Sequence, residues 1–272
     1  MANTADDVEV YGVHVSPDPD LVTYWLADAI DERGWGLRED SWKVMEALEA
    51  AGVPHWFRLG DRDLATCLVR TERLRAGASL TDAQAAVTES LGVRARVLPM
   101  SDEPVTTWVG ARGRTRPFQE FMIVEHAEGP VEAVELRGLE TARPSAAVLE
   151  AIAAADAIVI GPSNPVISIG PILALPGMSA ALRDTPAPVV AVSPFVGGRT
   201  LKGPTDDFCR YAGIETNAGG IAKAYGDVLD GIVADEEVPD LPCLVTDTLM
   251  QSAEKRVALA TKTLDFAAKL TG

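Results

Sequence analysis

Four aspartates stand within the first twenty residues: Asp6 and Asp7 in "NTADD", Asp18 and Asp20 in "SPDPD". Carboxylates so paired are hard oxygen donors. Mg²⁺ needs only one or two of them, with water and substrate phosphates completing its six positions. The plainer alternative for Asp18 and Asp20 is helix capping, and a helix N-terminus is electrostatically poor for a cation. The residues alone leave both readings open. In "LGDRD" (59–63) Arg62 lies between two carboxylates, as an arginine locked in place to grip an anion would. Taken alone, that segment reads better as a helix start whose acids complement the dipole.

Two loops offer complementary chemistry. "GPSNPVISIGP" (161–171) carries Ser163, Asn164 and Ser168, and "SPFVGGRTLKGP" (193–204) carries Gly197, Gly198, Arg199 and Lys202. Amides and hydroxyls in the first can cradle a phosphate. Two cations beside a flexible glycine pair in the second suit a diphosphate. Ordinary turn chemistry explains the first slightly better and the second equally well, because no GxGxxG or GxxxxGKS pattern is present. The histidines (His14, His55, His126) and cysteines (Cys67, Cys209, Cys243) are scattered, with no CxxC spacing. They read as packing or surface residues, which disfavours a zinc site, a disulfide framework and a hydrolase triad.

The elements that must position these groups follow from pattern. "VEVYGVHV" alternates as a strand, and "SPDPD" opens a helix with Asp18 as cap and Pro19 at the first helical position. That helix runs through "LVTYWLADAID" with Val22, Trp25, Leu26 and Ile30 on one face. Three more follow: one capped by Ser41, one capped by Asp63 and ending at Gly77, and one in "SLTDAQAAVTESLG". "RARVLPMSDEPVTTWV", "FQEFMIVE" and "VEAVELRG" read as strands. The helix "SAAVLEAIAAAD" then leads to "AIVIG" and "PVVAVS", apolar throughout as parallel strands covered on both faces are. Each is followed by one of the two loops, at the carboxyl end where open α/β sheets bind ligands. "GIVAD", "CLVTDTLM" and a helix from Ala253 to Leu270 close the chain. The expectation is an α/β fold, a doubly wound, mostly parallel Rossmann-like sheet. It forms a single domain over 1–272, with a helical insertion at about 20–92 and a β-rich portion at about 94–138.

Composition narrows the function. The 272 residues carry a net charge of −16 and no basic run, which disfavours nucleic acid. No apolar run approaches the ~20 residues of a membrane helix, and no signal segment opens the chain. A cytoplasmic protein is expected.

Read in order, "NTADD", "SPDPD", "RGWG", "WFRLGDRDLAT", "LPMSDEPV", "FQEF", "GPSNPVISIGPILALPGM", "VAVSPFVGGRTLKGP" and "YGDVLDG" resemble the 2-phospho-L-lactate transferases of deazaflavin coenzyme biosynthesis over nearly the whole chain. The resemblance implies Mg²⁺-dependent transfer of a phospholactyl or phosphoenolpyruvyl group from a guanosine diphosphate-linked donor to the deazaflavin alcohol FO. The products are GMP and coenzyme F-420 without its glutamates. It implies a homodimer. It assigns Asp6, Asp7, Asp18 and Asp20 to Mg²⁺ and FO, and Asn3 and Thr4 to substrate. Arg62 and Asp63 fall near the acceptor, and Ser163, Asn164, Ser168, Gly197, Gly198, Arg199 and Lys202 beside the donor. Asp7, Asp20 and Arg62 are then the catalytic candidates, with Asp20 or Asp7 taking the acceptor hydroxyl's proton.

The chain departs from that family at three places. Cys67 stands where relatives usually have histidine, and Pro19 where they have leucine. Relatives also place a strand, a "GGTGG"-like turn and a helix ahead of "NTADD", where this sequence has only Met1 and Ala2. A βαβ unit needs roughly 30 residues or more. The expectation is a transferase lacking that segment through truncation or a misassigned start. The competing readings are an inactive fragment and a non-catalytic sugar-nucleotide-binding regulator of the same fold.

Overall fold

The computed structural model describes residues 1–200 and 203–270. They fall into two compact units, Met1–Gly129 with Ala133–Val148, and Pro130–Glu132 with Leu149–Gly272.

The first unit opens with the antiparallel pair β1 (Val8–Val10) and β2 (Val13–Val15), joined at Tyr11 and Gly12, both at positive φ. Helix α1 (Pro17–Leu26) follows, then α2 (Lys43–Ala50), α3 (Asp61–Arg75) and α4 (Leu80–Ser90). Strands β3 (Thr106–Ala111) and β4 (Arg114–Pro117) form a hairpin, and β5 (Val131–Arg137) joins β3 on its other side. Between β4 and β5 lies helix α5 (Phe118–Ile123). This corrects the expected strand at "FQEFMIVE". Phe118 and Phe121 fall three apart on one helical face, and Phe121 is buried. Residues 94–105, expected as a strand, are an irregular segment that makes one parallel bridge, from Pro99 to Ala2.

Three helix starts also differ from expectation. Helix α1 begins at Pro17 with Ser16 as N-cap, so Asp18 and Asp20 sit inside its first turn. Helix α3 begins at Asp61 with Gly60 as N-cap, and α2 is not capped by Ser41. The face of α1 is inverted as well. Asp20, Thr23 and Tyr24 are buried, whereas Val22, Trp25 and Leu26 are exposed.

The second unit holds the expected parallel α/β sheet. Helix α6 (Ala146–Ala153) leads into it, and its strands are β6 (Ile158–Ile160), β7 (Val189–Val192), β10 (Gly231–Ala234) and β11 (Cys243–Val245). They are all parallel in the order β11-β10-β7-β6. Helices α7 (Ile169–Ala174) and α8 (Met178–Asp184) connect the first two strands. The small hairpin β8 (Phe195–Val196) and β9 (Arg199–Thr200), with α9 (Thr205–Ala212) and α10 (Ala218–Tyr225), connects β7 to β10. Helix α11 (Ala253–Leu270) ends the unit where the sequence places it. Val190, Val192 and Val233 pack against Leu259 and Ala267 of α11. The alternating Val189, Ala191 and Ile232 are fully buried too, so both faces of the central strands are covered. Gly231 is glycine for space, since a Cβ there would stand 2.8 Å from the Phe266 ring.

Candidate functional site

The acidic turn at residues 3–7 is held from several sides. Ala2 donates its N–H to Leu98 O (2.8 Å) and accepts from Met100 N (3.0 Å), and Ala5 O accepts from Thr107 N (2.6 Å). Inside the turn Asn3 Oδ1 accepts from Ala5 N (2.9 Å), an Asx turn that needs no regular element to fix it. Asn3, Thr4 and Asp6 are buried.

This rigid turn brings its carboxylates to those of α1. The Asn3 amide donates to both Asp6 Oδ1 (3.1 Å) and Asp18 Oδ2 (3.3 Å), so two acids share one side chain. Gln119 of α5 donates to the carbonyl and to Oδ2 of Asp6 (3.1 and 3.2 Å). Among the described residues no cation pairs with either acid. Burial and mutual repulsion raise Asp6 well above the carboxylate range, and burial lifts Asp18 to about 6. Two oxygen donors with uncompensated charge fit a hard divalent cation, which by binding would hold both in the ionised form.

Asp7 and Asp20 are engaged differently. Asp7 Oδ2 meets His14 Nε2 (2.8 Å) and Oδ1 accepts from Ser16 Oγ (2.8 Å), so both oxygens are taken. Ser16, although the N-cap of α1, spends its hydroxyl on Asp7. His14 is clamped on its other nitrogen by Glu9 (3.1 Å). Burial would lower its pKa, but Asp7, aided by Glu9, outweighs burial and raises it, favouring the imidazolium. Asp20 pairs through Oδ1 with the wholly buried guanidinium of Arg70, while its Oδ2 has no hydrogen-bond partner among the described residues. Burial raises Asp20 to about 6 despite that pair.

A fifth aspartate, Asp63, completes the group. Asp63 accepts a 2.6 Å hydrogen bond from the Tyr24 hydroxyl, and its carboxylate lies with those of Asp20 and the Cys67 thiol, one donor atom from each within 4.8 Å of the others. Arg70 already supplies positive charge to this trio, and burial pushes the Cys67 thiol far up. It is a poorer fit for a metal than Asp6 with Asp18.

Asp63 and Arg62 are aimed by a reciprocal cap. Asp40, just before α2, accepts from Arg62 N (2.8 Å) and Asp63 N (3.0 Å) at the start of α3. Asp61, the first residue of α3, accepts from Ser41 Oγ (2.5 Å), Lys43 N (3.2 Å) and Val44 N (3.0 Å) at the start of α2. Each helix therefore has its free N–H groups satisfied by an acid from the other's entry segment. The Arg62 guanidinium reaches Arg38 O (3.0 Å) and is exposed.

In the second unit the two loops follow β6 and β7 at their carboxyl ends. Asn164 is consumed by structure. Its Oδ1 accepts from Val166 N (2.8 Å) and Ile167 N (3.2 Å), and its Nδ2 donates to Thr205 Oγ1 (3.2 Å). Ser163 is exposed and Ser168 is the N-cap of α7. Gly197 and Gly198 both have positive φ, as a two-residue hairpin turn between β8 and β9 requires. Gly197 N donates to Asp235 Oδ2 (2.6 Å), which follows β10, and Arg199 points an exposed cation from β9. Lys202 lies outside the described residues.

The sequence reading missed His14, Arg70, Gln84 and Gln119. Only the spacing of Glu9 and His14, directly opposite across the β1–β2 pair, carried a signal for the first.

The chain matches the family model of 2-phospho-L-lactate transferase CofD over residues 1–265. It is 41% identical to a phosphoenolpyruvate transferase of Kitasatospora aureofaciens, across 98% of this chain and 88% of that one. It is also 41% identical to a 2-phospho-L-lactate transferase of Methanosarcina mazei, across 96% and 88%. A crystal structure of a Bacillus halodurans protein shares the fold with a TM-score of 0.54 at 20% identity, covering 95% of this chain and 81% of that one. No helix among the described residues is long and apolar enough to cross a membrane. A family match across this length, with relatives so similar, settles kinship: the chain belongs to the 2-phospho-L-lactate transferase family.

Proposed function

We propose that this protein transfers a phospholactyl or phosphoenolpyruvyl group from a guanosine diphosphate-linked donor to the deazaflavin alcohol FO, releasing GMP in the biosynthesis of coenzyme F-420. Kinship supports the transferase class, and the observation that carries the site is the uncompensated Asp6–Asp18 pair joined through Asn3. Asp6 and Asp18 would hold Mg²⁺, which when bound supplies neutralising charge to the donor's phosphates. Asp7, its oxygens taken by His14 and Ser16, supports that pair and is not the base.

Asp20 is the base. With Oδ1 held by Arg70 and Oδ2 unpartnered, it takes the proton of the attacking FO hydroxyl. The hydroxyl oxygen bonds to the phosphorus carrying the three-carbon acid, and the anhydride bond to GMP breaks. Asn3 fixes the acid turn, Thr4 lies within it, and Arg62 and Asp63 orient the acceptor. Ser163, Ser168, Gly197, Gly198, Arg199 and Lys202 bind the donor, with Asn164 shaping the first of their loops. We also expect a cytoplasmic homodimer.

The experiment mixes purified protein, FO, each guanylylated donor and Mg²⁺, and follows GMP. Release that stops on chelation and in Asp20→Ala supports the reading. Sugar-nucleotide binding with no GMP release would reject it.

A further inference from the structure

Arg70 is the largest fully buried side chain among the described residues, and it pairs with Asp20 of the carboxylate cluster. A buried guanidinium is costly unless its donors are satisfied. Here the two terminal nitrogens bond to three elements, while Nε has no hydrogen-bond partner among the described residues. Nη1 donates to the carbonyl of His14 on β2 (3.1 Å). Nη2 donates to Asp20 on α1 and to Gln84 Oε1 on α4 (3.1 Å). Gln84 is itself held, since its Nε2 donates to Thr23 Oγ1 (3.1 Å), which in turn donates to Pro19 O (2.7 Å) on α1.

Those partners are not arbitrary. His14 is the residue whose ring grips Asp7, and β2 pairs with β1 directly after the turn that carries Asp6. Asp20 lies two residues beyond Asp18 in the first turn of α1. The guanidinium therefore ties the strand side of the acid cluster to its helix side. Asp7, Asp20 and Asp63 all feel its charge. A plain counter-ion would need one partner. A forked one with a dedicated glutamine fixes distance as well as charge.

We propose that Arg70, seated by Gln84, is a positioning residue that sets the spacing between the Asp6–Asp7 turn and the Asp18–Asp20 helix start. This rests on the reading of that cluster as the Mg²⁺ and acceptor site. Arg70 lies behind Asp20 and so acts through the carboxylates.

The test uses the full chain with Arg70→Lys and Gln84→Leu. Lysine preserves the charge but gathers its donors on one nitrogen, so it cannot reproduce the spacing of Nη1 and Nη2. Supporting partners of metal-site ligands typically cost about 10–100-fold in affinity or activity when changed. Arg70→Lys is expected to lose about tenfold or more in Mg²⁺ affinity by titration calorimetry, with a comparable fall in kcat and no matching rise in donor KM. Gln84→Leu keeps the Arg70–Asp20 pair, covers the case in which Arg70→Lys does not fold, and is expected to move both readouts the same way by less. Folded variants, checked by unfolding curves, that bind Mg²⁺ and turn over like the parent would overturn the brace. A parent whose Mg²⁺ binding is weakened in Arg70→Lys but which releases no GMP would overturn the transferase reading and uphold the brace. A parent that binds no Mg²⁺ overturns both.

Discussion

The two units bury different chemistry. In the parallel sheet of the second, Val189, Val190, Ala191, Ile232, Val233 and Ala234 are all shielded and all apolar. In the first, the shielded set includes Arg70, Asp20, Gln84, Thr23, Asn3 and Asp6. Apolar burial stabilises by roughly 25 cal/mol per Å². A buried ion pair about breaks even, because the Coulomb gain must first repay desolvation. Val10, Val13, Val15, Met45, Phe57 and Leu59 give the first unit an apolar cluster of its own, but its polar part thus adds less stability than the apolar sheet of the second. Polar cores of that kind cluster where groups are held ready for ligands.

The largest expected effect lies in the polar core. Asp20→Asn should lower kcat by about 10²–10⁴, the usual range for a positioned base, with Mg²⁺ binding retained. An unchanged kcat would remove Asp20 from the chemistry. The matching change in the apolar core is Ile232→Ala, expected to cost about 2–5 kcal/mol in urea unfolding through lost burial and a cavity. It should leave kcat per folded molecule unaltered. The contrast sharpens in the double variant Asp20→Leu with Arg70→Met. Exchanging a buried pair for apolar groups is often neutral or stabilising by about 1–4 kcal/mol, so an inactive protein at least as stable as the parent is expected. A large loss of stability there would show that the ion pair holds the fold together.

A smaller effect comes from pH. Asp18 and Asp20 both titrate near 6 when folded, above their ordinary carboxylate range, with burial the leading cause in each. Between about pH 4 and 6 the folded protein therefore binds more protons than the unfolded chain, and these groups make stability fall as pH rises through that window. Their contribution levels off above it. Relative to the parent, Asp18→Asn removes the titration of Asp18 together with its repulsion of Asp6. Without Mg²⁺ the variant should match the parent near pH 4 and exceed it at pH 7, and Mg²⁺ should close the gap by stabilising only the parent. A gap that does not change with pH would rule out the raised Asp18.

Legibility in the sequence follows the same division. "AIVIG", "PVVAVS" and the Ala253–Leu270 helix were readable because apolar patterning and burial agree in the second unit. Helix α1 was misread for the opposite reason. Its apolar face, Val22, Trp25 and Leu26, is exposed, and the face that packs inward meets Asp63, Cys67 and Arg70 of α3. Pattern alone expects apolar residues inside. The acids themselves stood out by type and spacing. Their separation into an Asp6–Asp18 pair, an Asp7 clamped by His14 and an Asp20 held by Arg70 depends on contacts 7 to 50 residues apart in the chain. No local rule reaches that far.

The smallest effect concerns the reciprocal cap of α2 and α3, also in the first unit but at its surface. Asp40 satisfies two N–H groups of α3, so Asp40→Ala should cost about 1 kcal/mol, within the ~0.5–2 range for a lost cap. Gly60 is in ordinary extended backbone, at φ −66°, so its glycine is not there for turn geometry. A Cβ at that position would stand 2.1 Å from Asp40 Oδ2. Gly60→Ala must therefore push out the same carboxylate, and its cost in urea unfolding should equal or exceed that of Asp40→Ala. Because both variants break one contact, the double variant should cost less than the two added together. Full additivity would mean that Gly60 serves something other than the cap.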